Sequence, residues 1–297
     1  MTSTFPCPAR LARTRNLTLV ALGIALLVGC RSTEVTPPPA TLSPAATESP
    51  AGPAFPVGRS EQSMTAMVDG HQLDYLLDVP LADSPSDNTP PDDGWPLLLF
   101  LHGAGERGDD LGLVSVHGPP KLHDEVPELQ GCVLVAPQCP EGGWWTPGPL
   151  LALIDEVCAR ADIDRERLYV TGLSMGGYGT WGLLAAEPDL FAAAVPICGG
   201  GDIGRLWPEM AVGFVLDDLL RAQSVPIRAF HGEDDDVVPV GESRLLVDAL
   251  DAVGGHVELT VYPGVGHDSW TQTYADPSLY AWLFAQRRGG GARPQDG

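Results

Sequence analysis

Gly172-Leu173-Ser174-Met175-Gly176 decides how this chain is read. Ahead of it runs Arg167-Leu168-Tyr169-Val170-Thr171, a short, apolar, β-prone segment. Behind it, Gly177 to Ala186 reads as a helix rich in small residues. A G-x-S-x-G between a strand and a helix is the pattern of a nucleophile elbow. The tight turn lifts the serine oxygen above a sheet, and the glycines leave room for a strained backbone. The pentapeptide alone recurs by chance. Its weight rests on whether a base, an acid and oxyanion donors follow neighbouring strands.

The surrounding pattern supplies those strands. Pro96–Leu101 and Gly131–Ala136 are continuous apolar runs ended by turn residues, as expected of strands buried on both faces of a parallel sheet. Leu168–Thr171, Ala192–Ile197, Ile227–Phe230 and Val257–Tyr262 continue the series, and Gln72–Val79 alternates like an antiparallel edge strand. Between them, Leu150, Leu153, Ile154, Val157 and Cys158 share one helical face. Ser243–Val253 and Ser278–Gln286 carry similar periodicity, and Met210–Leu220 reads as a crossover or short cap helix. The expectation is an α/β fold: a mostly parallel central sheet covered by helices on both faces. Ligands of such sheets sit at the carboxyl ends of the strands.

Chemistry falls at those ends. A serine hydroxyl needs a base, and the base works best when a carboxylate fixes its tautomer. After Ile227–Phe230 comes His231-Gly232-Glu233-Asp234-Asp235-Asp236-Val237-Val238-Pro239. After Val257–Tyr262 comes Pro263-Gly264-Val265-Gly266-His267-Asp268-Ser269-Trp270. The order serine, acid, histidine along the chain makes Ser174 the candidate nucleophile and His267 the candidate base. Met175, the residue after the nucleophile, offers one backbone N–H to an oxyanion. Trp145, Tyr178 and Trp270 fall near strand ends and are candidates for the substrate pocket, although such a residue taken singly is more often core. His71, His117, His123 and His256 read as ordinary surface or loop residues. His117 and His123 lack a third ligand at convincing spacing, so no metal is expected.

With these motifs in place, the chain resembles the α/β-hydrolases of the carboxylesterase and phospholipase-like group, close to prolyl-oligopeptidase-like predicted peptidases. The resemblance covers about residues 63–287. It implies that the acid sits four residues after the histidine of an H-G-x-x-D-x-x-V-P segment, which here is Asp235, with Asp236 next in line. It also implies that the second oxyanion N–H comes from His102-Gly103-Ala104-Gly105, at Ala104. His102 and His231 are then structural hydrogen-bonding residues. Glu106 and Arg107 brace the loop or meet a polar substrate. Thr146 stands where related sequences more often carry an acid. The implied activity is hydrolysis of a small-molecule carboxylic ester through an acyl-enzyme, with no cofactor. The alternatives are a prolyl-oligopeptidase-like serine peptidase, disfavoured because no propeller-sized segment is present, and a non-catalytic surface lipoprotein that retains the fold.

Composition agrees. The 297 residues suffice for one large domain, and 44% are hydrophobic. Lys and Arg number 17 against 39 Asp and Glu, a formal net charge of -22 that disfavours nucleic acid as a partner. Arg10, Arg13 and Arg15 precede the apolar stretch Leu17–Val28, which is short for a bilayer span. That stretch ends at Leu27-Val28-Gly29-Cys30, which resembles a bacterial lipobox and implies cleavage before Cys30, its lipidation, and a membrane anchor outside the cytoplasm. An ordinary secretory signal or an uncleaved anchor is the alternative. The organisation expected is a signal at 1–29, a Pro/Thr/Ala/Ser-rich tether at 30–58, the hydrolase-like domain at 59–288 and a flexible tail at 289–297. Cys132, Cys139, Cys158 and Cys198 could pair in three ways or stay free.

Overall fold

The computed structural model describes residues 54–80, 93–201 and 216–289. The signal, Cys30, residues 31–53 of the tether, residues 210–215 of the cap-helix segment and the tail beyond Gly289 lie outside the described residues.

Among the described residues eight strands form a single sheet: β1 (Gly58–Ser63), β2 (Asp74–Val79), β3 (Trp95–Leu101), β4 (Val133–Pro137), β5 (Ile163–Leu173), β6 (Ala193–Ile197), β7 (Ile227–Gly232) and β8 (Val257–Tyr262). Their spatial order is β1-β2-β4-β3-β5-β6-β7-β8. β2 runs antiparallel to both β1 and β4, and every later pairing is parallel. The antiparallel strand expected at 72–79 is therefore not the edge. β1 is the edge, and its residues alternate between half-buried and exposed.

Among the described residues the α-helices are α1 (Gly118–Leu122), α2 (Pro127–Gln130), α3 (Pro147–Arg160), α4 (Met175–Ala186), α5 (Leu216–Leu219), α6 (Gly241–Ala252), α7 (Trp270–Tyr274) and α8 (Pro277–Phe284). The pleat of β3 shows how the sheet serves two cores. Leu97, Leu99 and Leu101 face one side, where they meet Leu153, Ile154 and Val157 of α3 and Trp181 of α4. Leu98 and Phe100 face the other, with Leu129 of α2, Tyr274 of α7 and Leu283 of α8. Because both faces are covered, β3 has no exposed position, which explains its unbroken apolar run. The core also reaches upstream of residue 59: Phe55 is buried, and the Arg160 guanidinium lies 3.7 Å over its ring.

Helix α4 has a poor intrinsic propensity, since glycine costs about 1 kcal/mol relative to alanine in a helix interior. Tertiary fit overrides this. A Cβ on Gly176 would run into the Leu101 carbonyl, and one on Gly177 into that of Ile197. A Cβ on Gly179 would come within 2.9 Å of Trp145. The glycines let α4 lie directly on the sheet and carry its first residue to the ends of β3, β5 and β6.

Candidate active site

Ser174 sits between the last residue of β5 and the first of α4, with φ 52° and ψ −114°. A non-glycine residue in this left-handed region is strained, and the strain persists only where the surroundings over-determine it. Here the Ser174 N–H donates to the Ile197 carbonyl at 2.9 Å, and the Ser174 carbonyl accepts from the Tyr178 N–H at 3.1 Å. A Cβ on Gly172 would run into the Gly176 carbonyl, and one on Gly176 into the carbonyls of Leu101 and His102. The elbow is shaped by backbone touching backbone.

The long loop after β8 brings His267 to the serine. The Ser174 hydroxyl donates to His267 Nε2 at 2.9 Å, and His267 Nδ1–H donates to Asp235 Oδ2 at 2.7 Å. Asp235 is buried in the turn after β7, whereas Asp234 and Asp236 are exposed. Its Oδ1 accepts from the Val237 N–H at 2.9 Å and the Val238 N–H at 2.8 Å. Burial pushes the Asp235 carboxyl up. Hydrogen bonds from His231, His267 and the Val238 N–H, with the charge of His267, outweigh that and hold it well below the usual carboxylate range.

Met175 and Ala104 both open helical turns: Met175 starts α4, and Ala104 starts a short 3₁₀ turn, Ala104–Glu106, after β3. First-turn amides have no acceptor within their own helix. The Ala104 loop is braced from beneath by His102. Its Nδ1–H donates to the Gly103 carbonyl at 2.6 Å, and its Nε2 accepts from the Cys139 N–H at 3.0 Å. This tautomer is neutral, and burial lowers the imidazole to about 4. Trp145 donates from Nε1 to the His102 carbonyl at 3.0 Å, and its ring meets the His102 imidazole edge-on at 4.9 Å. Arg107 reaches the carbonyls of Ala104 and Gly143 at 2.9 and 3.1 Å, so it braces backbone and does not pair with Glu106.

A serine, histidine and aspartate joined by hydrogen bonds at the carboxyl ends of β5, β8 and β7 lie in the sheet order described above. Residues 148–279 match the Phospholipase/Carboxylesterase family model. The chain has an α/β-hydrolase fold and is similar over these residues to carboxylesterases. Among solved structures, a thermostable esterase is 37% identical with a TM-score of 0.66, over 77% of this chain and 63% of that one. A ferulic acid esterase superposes with a TM-score of 0.55 over 77% of this chain and 97% of its own; at 18% identity it speaks to the fold alone. Among curated relatives, poly(3-hydroxyalkanoate) depolymerase C of Paucimonas lemoignei is 39% identical over 67 residues, 19% of this chain and 16% of that protein. Acyl-protein thioesterase 1 of Gibberella zeae is 23% identical over 206 residues, 58% of this chain and 83% of its own. The chain thus spans only a small part of the first of these relatives.

The aromatic candidates divide. Trp270 stands against the His267 imidazole, its ring edge-on to His267 at 5.4 Å and to His117 at 5.5 Å. Tyr178 is buried and meets Trp144 at 5.9 Å. Trp145 is 3% exposed and supports the Ala104 loop through His102. The role of Trp145 beneath that loop, and the row His267–Trp270–His117–Glu106, are not visible in linear spacing. His117 Nε2 lies 3.8 Å from Glu106, while His123 pairs with Asp124 at 3.2 Å, so the two histidines serve separate neighbours. Among the described residues no three His, Cys, Asp or Glu side chains group as a metal site, and Cys132, Cys139, Cys158 and Cys198 are free thiols.

Proposed function

We propose that this chain hydrolyses carboxylic esters by acyl transfer to Ser174. The observation that carries the reading is the position of His267, 2.9 Å from Ser174 Oγ and 2.7 Å from Asp235 Oδ2. His267 Nε2 removes the hydroxyl proton as Oγ attacks the ester carbonyl. Asp235, acceptor-only and fully hydrogen-bonded, keeps the proton on Nδ1 and balances the imidazolium that forms. The N–H groups of Met175 and Ala104 receive the developing oxyanion. His267 then protonates the departing alcohol, and water repeats the sequence on the acyl-enzyme.

A 37% identical thermostable esterase supports a carboxylic ester as the substrate class. The test is Ser174→Ala. Hydrolysis of p-nitrophenyl acetate is expected to fall at least 10³-fold, with labelling by a fluorophosphonate probe abolished. Native-rate turnover by that variant would remove Ser174 from the mechanism. Activity on proline amides exceeding that on matched esters would instead identify a peptidase.

We propose further that the enzyme works outside the cytoplasm, anchored through Cys30. Support comes from the basic, apolar and small-residue order of residues 10–30. Cys30→Ala is expected to move the protein from the membrane fraction to the soluble fraction.

A further inference from the structure

One buried histidine has no part in the steps above. His231 closes β7 and is completely buried, yet it stands against the carboxylate that His267 uses. Its Nε2 faces two acceptors, the Val238 carbonyl at 2.8 Å and Asp235 Oδ2 at 3.2 Å. A ring nitrogen between two acceptors must carry the proton. On the far side, Nδ1 lies 2.8 Å from the Ser243 hydroxyl of α6, whose single proton serves either that nitrogen or the Gly199 carbonyl at 3.0 Å. Gly199 packs against Gly177 and the Tyr178 N–H in the first turn of α4, with a Cβ there only 2.5 Å from the Gly177 carbonyl carbon.

We propose that His231 is a positioning residue for the ester hydrolysis: its Nε2–H holds the Asp235 carboxylate at the angle that serves His267, and Ser243 locks the ring. The proposal rests on the esterase reading above. Asp235 Oδ2 is shared by two imidazoles, and Oδ1 takes two amide protons. The carboxylate therefore cannot rotate without losing several donors at once. The shared oxygen also gives His267 a weaker electrostatic partner than an unshared carboxylate would.

Loss of the His231 donor thus has a predictable sign. Asp235 concentrates its charge on His267, the imidazolium is favoured, and a higher pH is needed to free the base. The other charged or titratable groups around the pair are Glu233, Asp234 and Asp236 on the same turn, Glu242 on α6, Asp268 beside His267, and the buried Cys198 thiol at the end of β6. None of these donates to Asp235 Oδ2 among the described contacts.

The experiment compares His231→Phe, His231→Gln and Ser243→Ala with the full-length enzyme on p-nitrophenyl acetate across pH 5–9. His231→Phe removes the donor while keeping bulk. It is expected to lower kcat about 10- to 100-fold, short of the roughly 10⁴-fold attached to the triad acid itself, with KM unchanged. The acid limb of kcat/KM should move upward in pH. His231→Gln, which can return an N–H, should recover part of the rate and return the limb toward its native position. Ser243→Ala should shift the limb in the same direction by less.

Should His231→Phe not fold, ¹H–¹⁵N spectra of the wild-type imidazoles take its place. They should show a protected His231 Nε2–H, and an unprotonated Nε2 overturns the proposal. An unmoved limb in folded His231→Phe, or losses in kcat that follow thermal stability alone, overturns it too. A wild-type enzyme inactive on esters and inert to the fluorophosphonate would defeat the esterase reading, whereas an active wild type with an unmoved limb defeats only the role of His231.

Discussion

The turn that holds Ser174 and the turn that holds Asp235 do the same job by opposite means. At the elbow, Gly172, Gly176 and Gly177 bring backbone onto backbone, and Ser174 is forced to φ 52° because nothing else fits. After β7 the chain carries three exposed acids, Glu233, Asp234 and Asp236, and Asp235 is fixed by four hydrogen-bond donors. Shape over-determines the first site, and polar saturation over-determines the second. The two should therefore fail differently.

The largest effect is expected at the elbow. In Gly176→Ala the new methyl group meets the Leu101 carbonyl, which belongs to a central strand and cannot move aside. Overpacking of this kind should cost about 3 kcal/mol or more, so activity and the urea midpoint should fall together. Asp235→Asn should separate them. The amide oxygen can still accept from Val237 and Val238, but its NH₂ would face His267 Nδ1 and His231 Nε2. His267 is then driven to the wrong tautomer, and kcat should drop about 10⁴-fold while a folded, cooperative unfolding transition persists. Fluorophosphonate labelling beside thermal melts distinguishes the two outcomes. If Asp235→Asn unfolds as readily as Gly176→Ala, the contrast between shape and saturation is broken.

The Ala104 loop combines both devices and sharpens the comparison through pH. His102 ionises near 4 in the folded chain, and an unfolded histidine near 6.5. Between those values the unfolded chain binds more protons, so stability declines as pH falls from about 6.5 toward 4. The full decline attached to this one group is about 3 kcal/mol. Urea midpoints at pH 7 and pH 4.5 should show the loss in the wild type and a shallower one in His102→Asn.

What could be read in advance follows the same division. Strands β3, β4 and β6 were plain because burial on both faces leaves only apolar residues to place there, and β8 by its alternation of half-buried and exposed residues. The elbow was plain because close backbone contact leaves only glycine. β1 was not, since Gly58-Arg59-Ser60-Glu61-Gln62-Ser63 has no apolar alternation and is recruited by pairing with β2. The start of β5 was hidden for a related reason: its charged residues 164–167 precede a shift in register against β3 between Trp95 and Leu97. Asp235 needed a family resemblance to stand out among its neighbours, because three consecutive aspartates are alike until a fold buries one of them. Likewise, nothing in linear spacing shows that His231 turns inward to the carboxylate four residues away.

The polar face of β1 bears on how these molecules behave when packed side by side. An outermost strand with unpaired amides is a template on which a second chain can grow. Here the template is defended: the Arg59 guanidinium is held by Asp78 at 2.8 Å and by the Pro120 carbonyl at 2.8 Å, and Glu61 stands on the same exposed face of the strand. At the opposite margin β8 presents Glu258, 75% exposed at its side chain. A second chain pairing along β1 would have to bury the Arg59 guanidinium or pull it from these partners, so a dense population of this protein should resist growing into ribbons.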